Sequence, residues 1–119
     1  MQIAQIWGNT MYYLVKDDVG TQLKATLTRA DDGTPVNLLD ATVVMRFRAK
    51  GSTAILFTLT SITVSDEDKE NGIAIFQFGA GNLNVAEGKY QGEIEATFTT
   101  GKIESVYEIL EFYVRADFD

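Results

Sequence analysis

The sequence contains no cysteine and no histidine among its 119 residues. Without cysteine, the chain alone can form no disulfide, no thiolate metal site and no cysteine nucleophile. Without histidine, it lacks the commonest general base and the commonest transition-metal ligand, which excludes Ser/His/Asp and Cys/His catalytic sites. We therefore expect a protein that is not an enzyme, has no catalytic residues and binds no cofactor.

Proline and long hydrophobic runs are also scarce. The single proline, Pro35, cannot donate a hydrogen bond to a sheet and predicts an edge or a connection. The most apolar run after the N-terminal segment, residues 54–59, is far shorter than the roughly 20 residues that span a bilayer. Residues 1–7 have no basic region before an apolar stretch, so they do not resemble a signal peptide. We expect no association with a membrane.

Basic residues are outnumbered, with 10 Lys and Arg against 17 Asp and Glu, which gives a formal net charge of −7. Such a charge repels the phosphate backbone, so nucleic acid is not an expected partner. It could instead complement the basic surface of a protein partner. The hydrophobic fraction of 45% is ordinary for a globular protein. A chain of this length forms one domain with a substantial core.

The strongest secondary-structure signal is the alternation of apolar and polar residues along residues 90–98. This period of two predicts a strand with one buried and one solvated face. Shorter alternating segments recur about every ten residues, separated by turns such as Asp31-Asp32-Gly33. We predict a single all-β domain, an immunoglobulin-like antiparallel β-sandwich of seven to eight strands over residues 11–119. Residues 1–10 form either a first strand or an N-terminal arm that docks on a neighbouring subunit.

The start of the 90–98 strand has a second signal, because Gly88 precedes Tyr90 by two residues. A tyrosine at this position is typical of the tyrosine corner of immunoglobulin-like sandwiches, whose hydroxyl bonds backbone upstream. The alternative is an ordinary core tyrosine. Both assign Tyr90 and Gly88 a structural role.

A basic stripe, formed by Arg46, Arg48 and Lys50, alternates along the predicted strand at residues 42–50. In the predicted sandwich this strand lies beside the 90–98 strand, whose outward residues include Glu93 and Glu95. We expect cross-strand charge pairs that each stabilise the sheet by roughly 0.2–1 kcal/mol. A ligand-binding stripe is the alternative.

The most acidic segment, residues 66–72, is a weak candidate for a calcium site through Asp66 and Asp68. An EF-hand loop needs glycine at its sixth position, and here Gly72 is the seventh residue counted from Asp66. We therefore predict a solvated loop and no metal site.

Apolar and tyrosine side chains exceed what one small core needs, and surface tyrosines are common where proteins bind each other. The candidate interface residues are Ile3, Ile6, Trp7, Tyr12, Tyr13, Tyr107 and Tyr113.

Several segments occur in an order that resembles a known family. They are Tyr13-Leu14-Val15-Lys16-Asp17-Asp18-Val19-Gly20, Asp32-Gly33-Thr34-Pro35-Val36-Asn37-Leu38, Gly72-Ile73-Ala74-Ile75-Phe76 and Gly88-Lys89-Tyr90-Gln91-Gly92-Glu93-Ile94-Glu95. Residues 12–114 are similar to the immunoglobulin-like domain at the N-terminus of tailed-phage baseplate upper proteins and related small virion proteins. Residues 1–10 fall outside the resemblance. Baseplate upper proteins continue into receptor-binding segments, whereas this chain ends at residue 119, which favours a small virion component.

The resemblance implies a non-enzymatic structural component of a tailed-phage virion, in the tail, baseplate or neck. It implies other virion proteins as partners, in a homo-oligomeric or symmetric assembly that forms in the cytoplasm of the host bacterium. Two alternatives remain open: a capsid decoration protein, and an adhesion module that binds carbohydrate or the cell surface through an exposed tryptophan or tyrosine.

Overall fold

The computed structural model describes residues 3–6, 11–106 and 109–116, the first of these only as a strand. These residues form nine strands and one short helix. In chain order they are β1 (Ile3–Ile6), β2 (Tyr12–Val15), β3 (Gln22–Arg29), β4 (Ala41–Ala49), β5 (Phe57–Thr60), α1 (Asp66–Glu70), β6 (Ile73–Gln77), β7 (Gly88–Phe98), β8 (Ile103–Ser105) and β9 (Leu110–Arg115).

The strands form two sheets. The smaller sheet has the order β1-β3-β6, and the larger has the order β2-β9-β7-β4-β5, with β8 paired to the far end of β7. All pairs are antiparallel except β2 and β9. The adjacency of β9, β7, β4 and β5 matches the sheet of an immunoglobulin variable-type domain. The predicted immunoglobulin-like sandwich is confirmed, with eight strands in the described part of residues 11–119. The one difference is that the pair of β2 and β9 is parallel.

At the N-terminus, the structure corresponds to the first-strand alternative. Strand β1 pairs antiparallel with β3, with Ile3 opposite Arg29 and Ile6 opposite Leu27. The side chains of β1 lie outside the described residues, as do residues 7–10 in full. Whether this segment also contacts a neighbouring subunit therefore stays a prediction.

The core lies between the sheets and follows the predicted alternation. Phe47 is at its centre, stacked on Phe57 at 4.7 Å and on Tyr90 at 5.2 Å between ring centroids. Gly92 faces the same layer, where a Cβ atom would lie 3.0 Å from the Phe112 ring. The largest fully buried side chains are Leu27, Val36, Met45, Phe47, Phe76, Phe78, Leu83, Ile94, Val106, Phe112 and Val114.

The prediction of a loop at residues 66–72 was wrong, because Asp66–Glu70 forms the helix α1. Ser65 caps its N-terminus by accepting a hydrogen bond from the backbone N–H of Asp68 at 3.2 Å. Acidic side chains in the first turn further stabilise the helix, because they lie near the positive end of its dipole. Gly72, with φ of 75°, then returns the chain to β6.

The last predicted strand, residues 103–115, is instead divided into β8 and β9. Glu95 lies opposite Ser105, whereas Gly92 lies opposite Leu110, so three residues along β7 correspond to five on the partner. The partner therefore contains two extra residues between β8 and β9. Because this number is even, the side chains keep the same inward phase on both sides of the interruption.

Candidate protein-interaction face

Tyr90 fixes the loop that precedes β7. Its hydroxyl donates a hydrogen bond to the carbonyl oxygen of Ala86 at 2.5 Å, the contact expected of a tyrosine corner. Burial raises the pKa of the Tyr90 phenol, which keeps the hydroxyl protonated as a donor. Gly88 begins β7 with φ of 150°, a backbone conformation that favours glycine. Both residues therefore support the scaffold.

The side of the larger sheet that faces away from the core carries most of the predicted functional residues. We call this surface the outer sheet face. It is formed by side chains that alternate with the buried ones on β2, β4, β7 and β9. Its members are Tyr13, Val15, Val44, Arg46, Arg48, Gln91, Glu93, Glu95, Glu111 and Tyr113.

One of the predicted charge pairs is present on this face. Arg46 lies opposite Glu93 in the register of β4 and β7, but its guanidinium contacts the diagonal neighbour Glu95 at 3.1 Å. The two side chains are 35% and 21% exposed, so solvent weakens the ion pair without removing it. Glu93 is exposed and forms no ion pair within the described part of the chain.

Arg48 has a different partner from the one predicted. Its guanidinium donates to the Gln91 side-chain oxygen at 3.2 and 3.3 Å, and the Gln91 amide donates to Glu111 at 3.4 Å. These three side chains form one row across β4, β7 and β9. The positive charge of Arg48 is thus linked to the carboxylate of Glu111 through a neutral amide. Both arginines are engaged by side chains of their own face.

The two predicted interface tyrosines of β2 face opposite sides of the sheet. Tyr13 points away from the core, is 77% exposed and lies opposite the half-buried Tyr113 of β9. Tyr12 instead points inward and packs on Phe112 at 5.6 Å, because successive side chains of a strand face opposite sides. Tyr12 is half-buried there, and its role in an interface stays a prediction. Trp7, Tyr107 and the side chains of Ile3 and Ile6 lie outside the described residues.

Exposed isoleucines that sequence reasoning missed add apolar surface to the same side. Ile103 of β8 is 60% exposed, and the exposed Ile55 and Ile109 line one pocket together with Arg46 and Gln91. No signal in the sequence indicated Ile55, because it is in phase with the inward-facing Phe57 and Leu59 but lies before the start of β5. The signal for Ile109 was present, because it directly precedes Leu110, which is in phase with the inward-facing Phe112 and Val114.

Glu104 is a further residue that sequence reasoning missed. It lies in phase with Val106 and the buried residues of β9, and its side chain is only 6% exposed. Lys102 approaches one carboxylate oxygen at 3.5 Å, and neither oxygen accepts a hydrogen bond from the described residues. A buried charge on β8 costs folding free energy, which the ion pair partly offsets.

Asp66 and Asp68 lie on α1, and no group of three or more Asp, Glu, His or Cys side chains converges within residues 11–106 and 109–116. Over the same residues, no helix has the length and apolar character needed to cross a membrane.

Comparisons with known proteins support the fold and leave the family open. No family model matches the sequence, and no curated protein matches it. Among solved structures, CopC from Methylosinus trichosporium OB3b is similar with a TM-score of 0.53 and 10% identity, covering 99% of this chain and 96% of that chain. Murine CRIg has a TM-score of 0.42 and 10% identity, covering 95% and 97%. At such identities the first of these likenesses supports the fold alone.

Proposed function

We propose that this chain is a non-enzymatic structural component of a tailed-phage virion that acts in the tail, baseplate or neck through protein–protein contacts. The observation that carries the proposal is the outer sheet face, where Tyr13, Ile103 and Ile109 are exposed beside two arginines that already have partners. The position in a virion comes from the resemblance of residues 12–114 to baseplate upper proteins.

The composition of this face favours a protein partner over a small charged ligand. Arg46 contacts Glu95 and Arg48 contacts Gln91, so part of the donor set of each guanidinium is already engaged within this face. Tyrosine and apolar side chains with arginine nearby are the residues enriched in protein interfaces. The proposed partners are other virion proteins in a symmetric assembly, and nucleic acid and membranes are not among them.

Mass spectrometry of purified virions, combined with immunogold labelling, tests the proposal directly. We expect the chain in intact particles at a fixed copy number, with label at the tail, baseplate or neck. Label over the head would support the capsid decoration alternative instead. Absence of the chain from purified particles would refute the virion role.

A surface variant tests whether the outer sheet face makes the contact. Tyr13→Glu places a charge on the exposed tyrosine without disturbing the core, and we expect reduced incorporation of the chain into particles. Val19→Glu is the matched control, because Val19 is equally apolar and exposed but lies in the turn after β2. Equal incorporation of the two variants would exclude this face.

The adhesion alternative has its own feature, since an exposed tyrosine such as Tyr13 can stack on a sugar ring. A glycan array with the purified chain tests it. Binding that is lost in Tyr13→Ala would favour adhesion, and no binding across the array would count against it.

A further inference from the structure

The strands at the ends of both sheets are unusual in their lack of charge. Soluble proteins commonly protect edge strands with proline or with charged residues such as lysine, and both discourage pairing with another chain. Here the central strands β3, β4, β7 and β9 carry charged residues, whereas the four terminal strands of the two sheets carry neither charge nor proline. These terminal strands are β1, β2, β5 and β6.

One open edge of the larger sheet does have the usual protection. Strand β8 pairs only with β7 among the described strands, and it carries the inward-facing Glu104 with Lys102 beside it. An inward-pointing charge is a known means of discouraging edge pairing. The same molecule therefore has one edge strand with a protective charge, β8, and four terminal strands without any.

The edge of β5 is fully described and is not covered by another described strand. Residues 51–65 contain no charged residue and no proline, and Ile55 and Leu56 are exposed just before the strand. The edge of β6, by comparison, is partly covered, because Ile75 accepts a backbone hydrogen bond from Ile62 and donates one to the Ser61 hydroxyl. Strands β1 and β2 adjoin residues 7–10, which lie outside the described residues.

The register of β5 shows which of its backbone groups face outward. Ser61 donates its N–H to Val43 of β4 at 2.8 Å, and Leu59 lies opposite Met45 in the same ladder. Because hydrogen-bonded and outward-facing residues alternate in an antiparallel pair, Thr58 and Thr60 direct their N–H and C=O groups away from β4. Each copy thus offers two donors and two acceptors at this edge.

The strand is also held in place and incompletely covered. Phe57 stacks on Phe47 at 4.7 Å and packs edge-on against Phe78, which anchors β5 to the core. Phe57 and Leu59 nevertheless remain only half-buried at the rim of the sandwich. An ordered strand with partly exposed inward side chains is a template on which a further strand would bury apolar surface.

We propose that the β5 edge pairs antiparallel with the β5 edge of a second copy of this chain, joining two six-stranded sheets across a two-fold axis. In a two-fold contact the edge pairs with the same edge of the second copy, so a charge near the axis would lie close to the same charge of the other copy. An edge without charge over 15 residues meets that requirement, whereas a different partner would allow charges of opposite sign. The pairing that places Thr58 opposite Thr60 centres the axis on Leu59.

This contact goes beyond the proposed virion role and is tested on the isolated protein. Sedimentation velocity from about 10 µM to about 1 mM covers the range expected of a small interface. We expect a reversible monomer–dimer equilibrium in the native chain. Amide hydrogen exchange should slow at Thr58 and Thr60 as concentration rises, and stay constant at Gln77 on the edge of β6.

Two variants and a control locate the contact. Thr58→Lys places like charges close together across the axis, and Thr58→Pro removes an outward N–H without breaking the ladder to β4. Each should weaken dimerisation by about tenfold or more. Thr97→Lys is the control, because Thr97 is an exposed threonine of the central strand β7 on the same face and the charge change is equal.

A native chain that stays monomeric at the highest concentration would overturn the proposal. So would a dimer that Thr58→Lys and Thr97→Lys weaken equally, or one without protection at Thr58 and Thr60. If Thr58→Pro fails to fold, Thr58→Lys alone still tests the contact. Failure of this test leaves the virion experiments unaffected, because those measure incorporation into particles.

Discussion

At the scale of single residues, Tyr90 joins the core to a loop through one hydroxyl. Tyr90→Phe keeps the ring between Phe47 and the core but leaves the Ala86 carbonyl without its donor. Ala86 itself is exposed, so water can replace the donor in part. We expect a loss of about 0.5–1.5 kcal/mol in the free energy of unfolding, measured by urea denaturation.

Tyr113→Phe is the matched control for this measurement. Tyr113 is half-buried on the outer sheet face and lies beside Tyr13. Its substitution should change the free energy of unfolding by less than about 0.5 kcal/mol. Equal losses in the two variants would show that the hydroxyl of Tyr90 has no special role in the loop.

The sequence allowed the Tyr90 contact to be anticipated because its donor and acceptor are four residues apart on one bend. The partner of Arg48 could not be anticipated in the same way. Two residues on β7, Gln91 and Glu93, lie within reach of a long guanidinium, and side-chain conformation decides between them. Alternation places a residue on a face but does not select its diagonal neighbour.

At the scale of elements, the joint between α1 and β6 depends on Gly72. A Cβ atom at this position would lie 2.4 Å from the backbone carbonyl oxygen of Leu27, and φ is 75°. The Gly72 carbonyl also accepts a hydrogen bond from the Leu27 N–H at 2.8 Å, so the two backbones cannot separate without losing it. Gly72→Ala should therefore lower the free energy of unfolding by about 3 kcal/mol or more.

Gly20→Ala separates crowding from backbone conformation. Gly20 also has a positive φ, 90°, but a Cβ atom there would meet no atom within 4 Å. We expect it to cost about 1–2 kcal/mol, the penalty of the left-handed conformation alone. Urea denaturation of both variants gives the comparison, and similar losses would mean that the contact with Leu27 relaxes freely.

The pairing of β4 with β7 includes the Arg46–Glu95 ion pair, which a double-mutant cycle can isolate. Arg46→Met, Glu95→Gln and the double variant should give a coupling free energy of about 0.2–1 kcal/mol, since both side chains are partly exposed. The parallel cycle with Glu93→Gln should give almost no coupling, although Glu93 is the direct neighbour in the register. Coupling in the second cycle alone would contradict the observed geometry.

Elements with a strict period of two were predictable, and those decided by short-range capping were not. The buried sides of β3, β4, β6 and β7 follow from alternation, because a one-residue error would turn every apolar side chain outward. Helix α1 escaped prediction because it has only five residues and no buried side chain. The two extra residues before β9 escaped because an even insertion leaves the alternation intact.

At the scale of the whole molecule, the sandwich follows from the number, spacing and alternation of short strands, since two sheets must cover each other's apolar side. Which strand occupies which edge is set by long-range pairing and was not evident beforehand. The candidate site was therefore only partly predictable. Tyr13 and Tyr113 were identified as residues, but their place together and the uncharged edge at β5 required the topology.

The net charge of −7 makes the proposed pairing of two copies sensitive to salt. Each copy extends 44 × 28 × 24 Å, so at about 0.01 M salt, where screening extends over roughly 30 Å, the net negative charges of the two copies repel each other. At about 0.5 M salt only charges close to the contact interact, and the β5 edge has none. We expect dimerisation to strengthen as salt rises, measured by sedimentation. Association through Arg46 and Arg48 with acidic residues of a second copy would weaken instead, and that result would exclude the uncharged edge as the contact.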